Sequence, residues 1–450
     1  MSLLDDLPQP ASEEVDEDAF KQLVADELER VRTRSFGLTT DVLDESELTA
    51  QHSRLMSPLV WDLAHVGNYE ELWLLREAAG IEAMRPEIDD LYDAFEHPRS
   101  ERPALPLLSP TEARDYIGLV RRKVLDSLAV ARLDPSKPLL ADGFVYRMVV
   151  QHEHQHDETM LGTHQLRRGD PVLPPATDGL PAPTDGSLLA EEVLVAGGPF
   201  VMGTSTDPWA YDNERPAYVV EQPSFWIDTT PVSNASYRAF IEAGGYDDPR
   251  WWTPGGWDWR TKSGKRAPAF WVREGTSWFR RRFGRLEPLP DTEPVQHVCY
   301  FEADAYARWA GKRLPTEAEW EKAASWDPAS RSKRRYPWGD AAPTSSTANL
   351  GQLRFHPTGV GSFPAGASAY GVRQLLGDVW EWTSTSFTGH PGFCVFPYKE
   401  YSEVFFGDDY KVLRGGSWAT DPLAVRNTFR NWDYPIRRQI FAGFRCARTA

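Results

Sequence analysis

The chain has 450 residues, 41% apolar and 26% charged, with a formal net charge of −17. That length exceeds one ordinary hydrophobic core and points to two or three domains. The acidic balance argues against a nucleic-acid partner, which needs a basic face, and no apolar run approaches the roughly 18–20 residues of a membrane span.

The opening "MSLLDDLPQP" lacks the basic flank and apolar stretch of a signal peptide. Residues 1–18 read as an acidic, proline-containing mobile arm. "FKQLVADELERVRTRSF" then carries apolar residues at helical spacing among strong helix formers. "SPLVWDLAHVGNYEELWLLREA" follows, with Ser57 expected as the cap and Pro58 at the first helical position. "SPTEARDYIGLVRRKVLDSLAVARL" opens on a capping box, Ser109 with Glu112. A fourth helix is expected from about Gly143 to Arg168. Four helices with one apolar face each predict a four-helix bundle over 19–168.

"RRGDPVLPPATDGLPAPTDGS" is too rich in Pro, Gly, Asp and Thr for a packed element, so 169–190 reads as a linker. Of the 18 tryptophans only Trp61 and Trp73 precede it. In 191–450, short aromatic runs alternate with Gly/Pro turns, interrupted by the helical "EADAYARWAG" and by "LPTEAEWEKAA" with a Thr316/Glu319 capping box. That pattern predicts an α+β domain rich in irregular structure. Cys299, Cys394 and Cys446 form no C-x-x-C pair. A cysteine-only zinc site and a disulfide framework are therefore not expected, and a reducing cytoplasm is the expected compartment.

"VVQHEHQHDETM" places three histidines at every second position. At 100° per residue His152 and His156 fall about 40° apart on the inward face, while His154 lies opposite, pointing outward. An H-x-x-x-H pair on a helix can share one metal, and burying two adjacent imidazoles without a partner is costly. His65, on a face with Trp61, Tyr69 and Leu72, is the best third ligand; His52, His97 and His164 are weaker ones. A single inward histidine is more often a core residue, but three converging ones favour a metal. Imidazole ligation alone suits Zn, Fe, Ni or Cu equally. "HEHQH" also matches H-E-x-x-H, which would make Glu153 a zinc-protease base, yet no usual third-ligand pattern follows.

"SPLVWDLAHVGNYEELWLLR" with "MVVQHEHQHDETMLGTHQLR" resembles the DinB-like domain of the ergothioneine-biosynthesis sulfoxide synthases, the hercynine oxygenases. "GGPFVMGT", "GKRLPTEAEWEKAA", "YPWGD", "LLGDVWEWT", "VLRGGSW" and "RNWDYPIRRQIFAGFRCAR" resemble the formylglycine-generating-enzyme-like domain, a C-type-lectin-like fold. The resemblance implies an α + (α+β) chain, a DinB-like bundle followed by that domain. It implies non-haem Fe(II) and O2, used to join a thiol sulfur to C2 of hercynine as a sulfoxide. The implied iron ligands are His65, His152 and His156. Gln155 resembles a hercynine contact, and Asn431 and Trp432 the wall around its trimethylammonium group. Tyr398 resembles the family's proton-donating tyrosine and Tyr401 its substrate-side partner. Asp433 resembles the group that takes the amino end of the thiol substrate. Arg99 and Arg102 match the pair that grips the carboxylates of γ-glutamylcysteine. The resemblance also allows calcium in the second domain, without assigning ligands. Two other readings stand beside it: a zinc-dependent thiol S-transferase or hydrolase, and a binding module without turnover.

Overall fold

The computed structural model describes residues 16–174, 182–186, 189 and 191–450. Most of the acidic arm expected at 1–18 and part of the linker expected at 169–190 lie outside the described residues. Residues 16–174 form one unit together with Asp207–Trp209, and the rest of the described chain forms a second.

The first unit is built on four long helices. α1 (Glu17–Gly37) starts where the Asp16 side chain accepts from the Asp18 and Ala19 amides, and it buries Phe20, Val24, Leu28 and Val31 at helical spacing. α2 (Leu59–Glu70) is buried at every position and runs directly into a π-helical turn, Glu71–Glu77. A helix buried all round is the centre of its domain, and π turns occur often near functional sites. α3 (Pro110–Val130) carries the expected Ser109/Glu112 capping box. α4 (Phe144–Leu166) begins after Gly143 at φ 67. A Cβ there would lie 2.1 Å from the Phe20 ring.

α1 packs against α3 and α4, and α2 against the same two. Gly67 allows α2 to approach α3 closely, since a Cβ would fall 2.2 Å from Ile117 Cγ2. Each helix contributes one member to a buried charge lattice. Arg32 Nε donates to Glu153 Oε1 at 2.6 Å and Nη2 to Glu70 Oε2 at 2.7 Å. Arg121 Nε donates to Glu70 Oε1 at 2.7 Å and Nη2 to Glu153 Oε2 at 3.2 Å.

Two local expectations are corrected. Pro58, not Ser57, occupies the cap of α2, and it makes no side-chain cap bond. The Ser57 hydroxyl instead accepts from Arg102 Nη1 at 2.7 Å, because the buried guanidinium needs that acceptor. His154 does not point outward: it is 2% exposed. Its ring faces Arg30 of α1, 3.2 Å from Nη2, and α4 has no solvent face there because α1 covers it.

The second unit is α+β. Its largest sheet orders β2 (Lys411–Arg414) between β1 (Trp380–Ser386) and β3 (Arg430–Asp433), both antiparallel to it. The expected helices appear as Tyr300–Trp309 and Glu317–Ser325, the latter with the Thr316/Glu319 box. Much of this unit is loop, so buried carbonyls lack ladder partners, and arginines supply them. Arg445 donates to the carbonyls of Asp228, Thr229, Arg373 and Gln374 while pairing with Glu381. Among the described residues no helix is long and apolar enough to cross a membrane.

Candidate metal centre

His152 and His156 lie one turn apart on α4, and His65 faces them from α2. The His65 ring centroid is 5.1 Å from that of His152 and 4.6 Å from that of His156. The two α4 rings are themselves 4.6 Å apart. One ligand nitrogen from each ring lies within 4.8 Å of the other two. Among the described residues, no other three His, Cys, Asp or Glu side chains come together this way.

The surrounding bonds assign the tautomers. His65 Nδ1 lies 2.7 Å from the Tyr92 carbonyl, and His156 Nδ1 lies 3.1 Å from Asp62 Oδ1. Both partners accept, so both rings place an N–H at Nδ1, which leaves Nε2 as the atom a metal would take. His152 is held by Tyr69, stacked on it at 3.6 Å between centroids. Burial pushes the His65 and His152 imidazoles well below the ordinary histidine value, and the neighbouring His156 pushes them the same way. Neutral rings are what a divalent cation requires. The donor set fits a metal, and Asp62 Oδ2 adds a second sign: it is buried without a hydrogen-bond partner.

A column of rings supports His65. Trp61 stacks on it at 4.6 Å, and the Arg102 guanidinium sits 3.5 Å above Trp61. Arg102 also donates to Ser57 Oγ and to the His97 and Ala94 carbonyls. Two of its five N–H groups remain free of these bonds. Burial lowers its pKa to about 10. Arg99 is exposed, and its Nη1 donates to the Leu55 carbonyl at 2.9 Å and to Met56 Sδ at 4.0 Å. Gln155 is half-buried on α4, next to His156.

Glu153 cannot serve as a protease base. Burial alone would raise its carboxyl, but the guanidiniums of Arg32 and Arg121 outweigh that and hold it at about 2.

The remaining expected residues belong to the second unit. Tyr398 meets Tyr401 edge to face at 6.2 Å, and Tyr401 meets Trp432 at 5.9 Å. Tyr401 is stacked on Tyr211 at 4.2 Å, and Trp432 on Phe387 at 4.0 Å. Asn431, Trp432 and Asp433 are consecutive on β3. Asn431 Oδ1 accepts from the Trp432 amide and Asp433 Oδ1 from the Tyr434 amide.

Sequence reasoning missed the groups that hold these residues. Asp62 had a readable signal, a lone acid inside "LVWDLAHV" three residues before His65. Asp212 had none. Its carboxylate clamps the tyrosine segment on both sides of Tyr398. Ser402 Oγ donates to Oδ1 at 2.5 Å and the Phe396 amide to Oδ2 at 3.3 Å. Burial raises the Asp212 carboxyl to about 6, against those two bonds. The fold therefore favours its protonated form, so the native state loses stability as pH climbs from about 4 through about 6. Thermal melts should show Asp212→Asn gaining on the parent chain above pH 6, with the gain disappearing near pH 4. A gain independent of pH would contradict this.

Residues 27–160 match the DinB superfamily, and residues 178–450 match the sulfatase-modifying factor enzyme 1-like domain. The formylglycine-generating enzyme of Mycobacterium tuberculosis is 34% identical over 236 residues, 45% of this chain and 76% of that protein. The hercynine oxygenase of the same species is 53% identical over 424 residues, 93% of this chain and 97% of the relative. The hercynine oxygenase of Mycolicibacterium smegmatis is 52% identical over 438 residues, 95% and 99% of the two chains. With both domains matched in order and identity sustained over nearly the whole length, this chain belongs to the hercynine oxygenase family, O2-using oxidoreductases.

Proposed function

We propose that the chain joins the sulfur of γ-glutamylcysteine to C2 of the hercynine imidazole, giving γ-glutamyl-hercynylcysteine sulfoxide, a step of ergothioneine biosynthesis. Fe(II) is the metal and O2 the co-substrate. The observation that carries this reading is the cluster of three imidazoles in a chain of the hercynine oxygenase family. The balance closes on one O2. Carbon–sulfur coupling removes two electrons and sulfur oxygenation two more; one oxygen atom enters the sulfoxide and the other leaves as water.

His65, His152 and His156 would hold the iron, which would supply the redox chemistry for O2. The protein residues do the rest. Gln155 and Asn431 orient hercynine, and the Trp432 face suits its trimethylammonium cation. Arg99, with the two remaining N–H groups of Arg102, binds the carboxylates of the thiol substrate. Asp433 takes its amino group. Tyr398 holds the proton delivered during coupling, and Tyr401, fixed by its stack on Tyr211, lines the substrate side. The three free cysteines fit a reducing cytoplasm, which also keeps the thiol substrate reduced. Family membership leaves the zinc-dependent transferase reading without support.

The test is anaerobic reconstitution with Fe(II), then O2 uptake with hercynine and γ-glutamylcysteine together and singly, products identified by mass spectrometry. Uptake that needs both, with a hercynyl sulfoxide as product, supports the proposal; uptake with the thiol alone makes the chain a thiol dioxygenase. Tyr398→Phe should lower sulfoxide formation by roughly 10²–10⁴-fold, the usual worth of a positioned acid. Oxygen consumption should then shift toward the sulfinic acid of the thiol. An unchanged product ratio would remove Tyr398 from the proton step.

A further inference from the structure

We propose that Asp62 is a positioning residue for His156 and the counter-charge of the metal centre. The inference rests on the reading that the three histidines hold a divalent metal.

Asp62 lies on α2, three residues before His65, and is 1% exposed. Apart from His65, its near neighbours on that helix are apolar, and a buried carboxylate is costly unless something compensates it. Its Oδ1 accepts the His156 Nδ1 proton, yet its Oδ2 is buried with no hydrogen-bond partner. The Arg102 guanidinium feels its charge, but that group makes its own hydrogen bonds to Ser57 Oγ and to the His97 and Ala94 carbonyls. By contrast, Glu70 and Glu153 each accept from both Arg32 and Arg121; Asp157 shares the unpartnered Oδ2, but the imidazole beside it is His154, outside the three-histidine cluster. Asp62 is thus a poor choice for stabilising the apo fold.

The anomaly resolves with a dication one imidazole away. Three neutral ligands leave its two positive charges uncompensated, and Asp62 places one negative charge directly behind one of them. The three rings are also oriented unequally. His65 is held by a neutral carbonyl and His152 by stacking on Tyr69. Among the described residues, His156 alone of the three has a carboxylate behind it. A carboxylate partner fixes the ring with Nε2 toward the metal and strengthens its donation.

The full-length chain, stripped of metal and titrated with Co(II) against a competing chelator, tests this through affinity, visible spectrum and the melting temperature of the metal-free form. Asp62→Ala should bind Co(II) about 10–100-fold more weakly and alter the ligand-field bands. Asp62→Asn should fall between, since its amide oxygen still accepts the imidazole proton but carries no charge. Both metal-free variants should melt at or above the parent chain, because a buried carboxylate with one unpartnered oxygen has been removed. Parent-like affinity and spectrum in Asp62→Ala would overturn the proposal, as would a lowered melting temperature with unchanged affinity. Failure of the parent chain to bind one Co(II), with His152→Ala behaving identically, would overturn the three-histidine reading as well.

Discussion

Replacing His152 with alanine is expected to empty the three-histidine site and lower sulfoxide formation on the order of 10³-fold or more. His65 and His156 alone make a two-ligand site, and a catalytic metal is worth several kcal/mol of barrier, each ~1.4 kcal/mol being tenfold. His154→Ala is the comparison. It lies two residues away on the same helix, buried against α1 instead of in the cluster. It should keep its metal and differ mainly in stability. Metal per chain by elemental analysis, with O2 uptake, distinguishes the two. Full metal content in His152→Ala would show that the cluster is not the centre.

Arg32→Met is expected to be the most destabilising change in the bundle. Arg32 is buried among Glu70 and Glu153, and its removal leaves two carboxylates with Arg121 as their one remaining guanidinium. Breaking one partner out of a buried ionic group costs about 3–5 kcal/mol. The denaturant midpoint of the transition that reports helix loss should fall accordingly. The lattice also dictates an acid limit. Glu153 is held at about 2 in the native state, below an ordinary 4.5. Its contribution is therefore complete above about pH 4.5 and is lost as pH falls toward 2. Arg32→Met should flatten that acid dependence. A variant as stable as the parent would mean the lattice directs helix pairing without stabilising it.

Local pattern was readable because it depends on neighbours in the chain. The Ser109 and Thr316 capping boxes formed as written, since each box is closed within four residues. Helical periodicity put His152 and His156 on one side of α4, and their rings stand 4.6 Å apart. The same arithmetic correctly turned His154 away from them but could not know that α1 covers the other side. The Ser57 hydroxyl is taken up by Arg102, 45 positions later, instead of capping the helix, and no local pattern marks the π turn after Glu70.

Periodicity, caps and composition thus determined the four helices, the change of architecture after the linker, and which histidines share a face, because these follow from backbone geometry and short-range sterics. Tertiary packing alone decided the rest. The Tyr92 carbonyl and Asp62 select the histidine tautomers, Arg32 and Arg121 take Glu153 out of acid–base chemistry, and Asp212 pins the tyrosine segment from 190 residues away at Ser402. Proton position and charge state depend on which buried groups meet across the fold, and local sequence pattern carries no account of that.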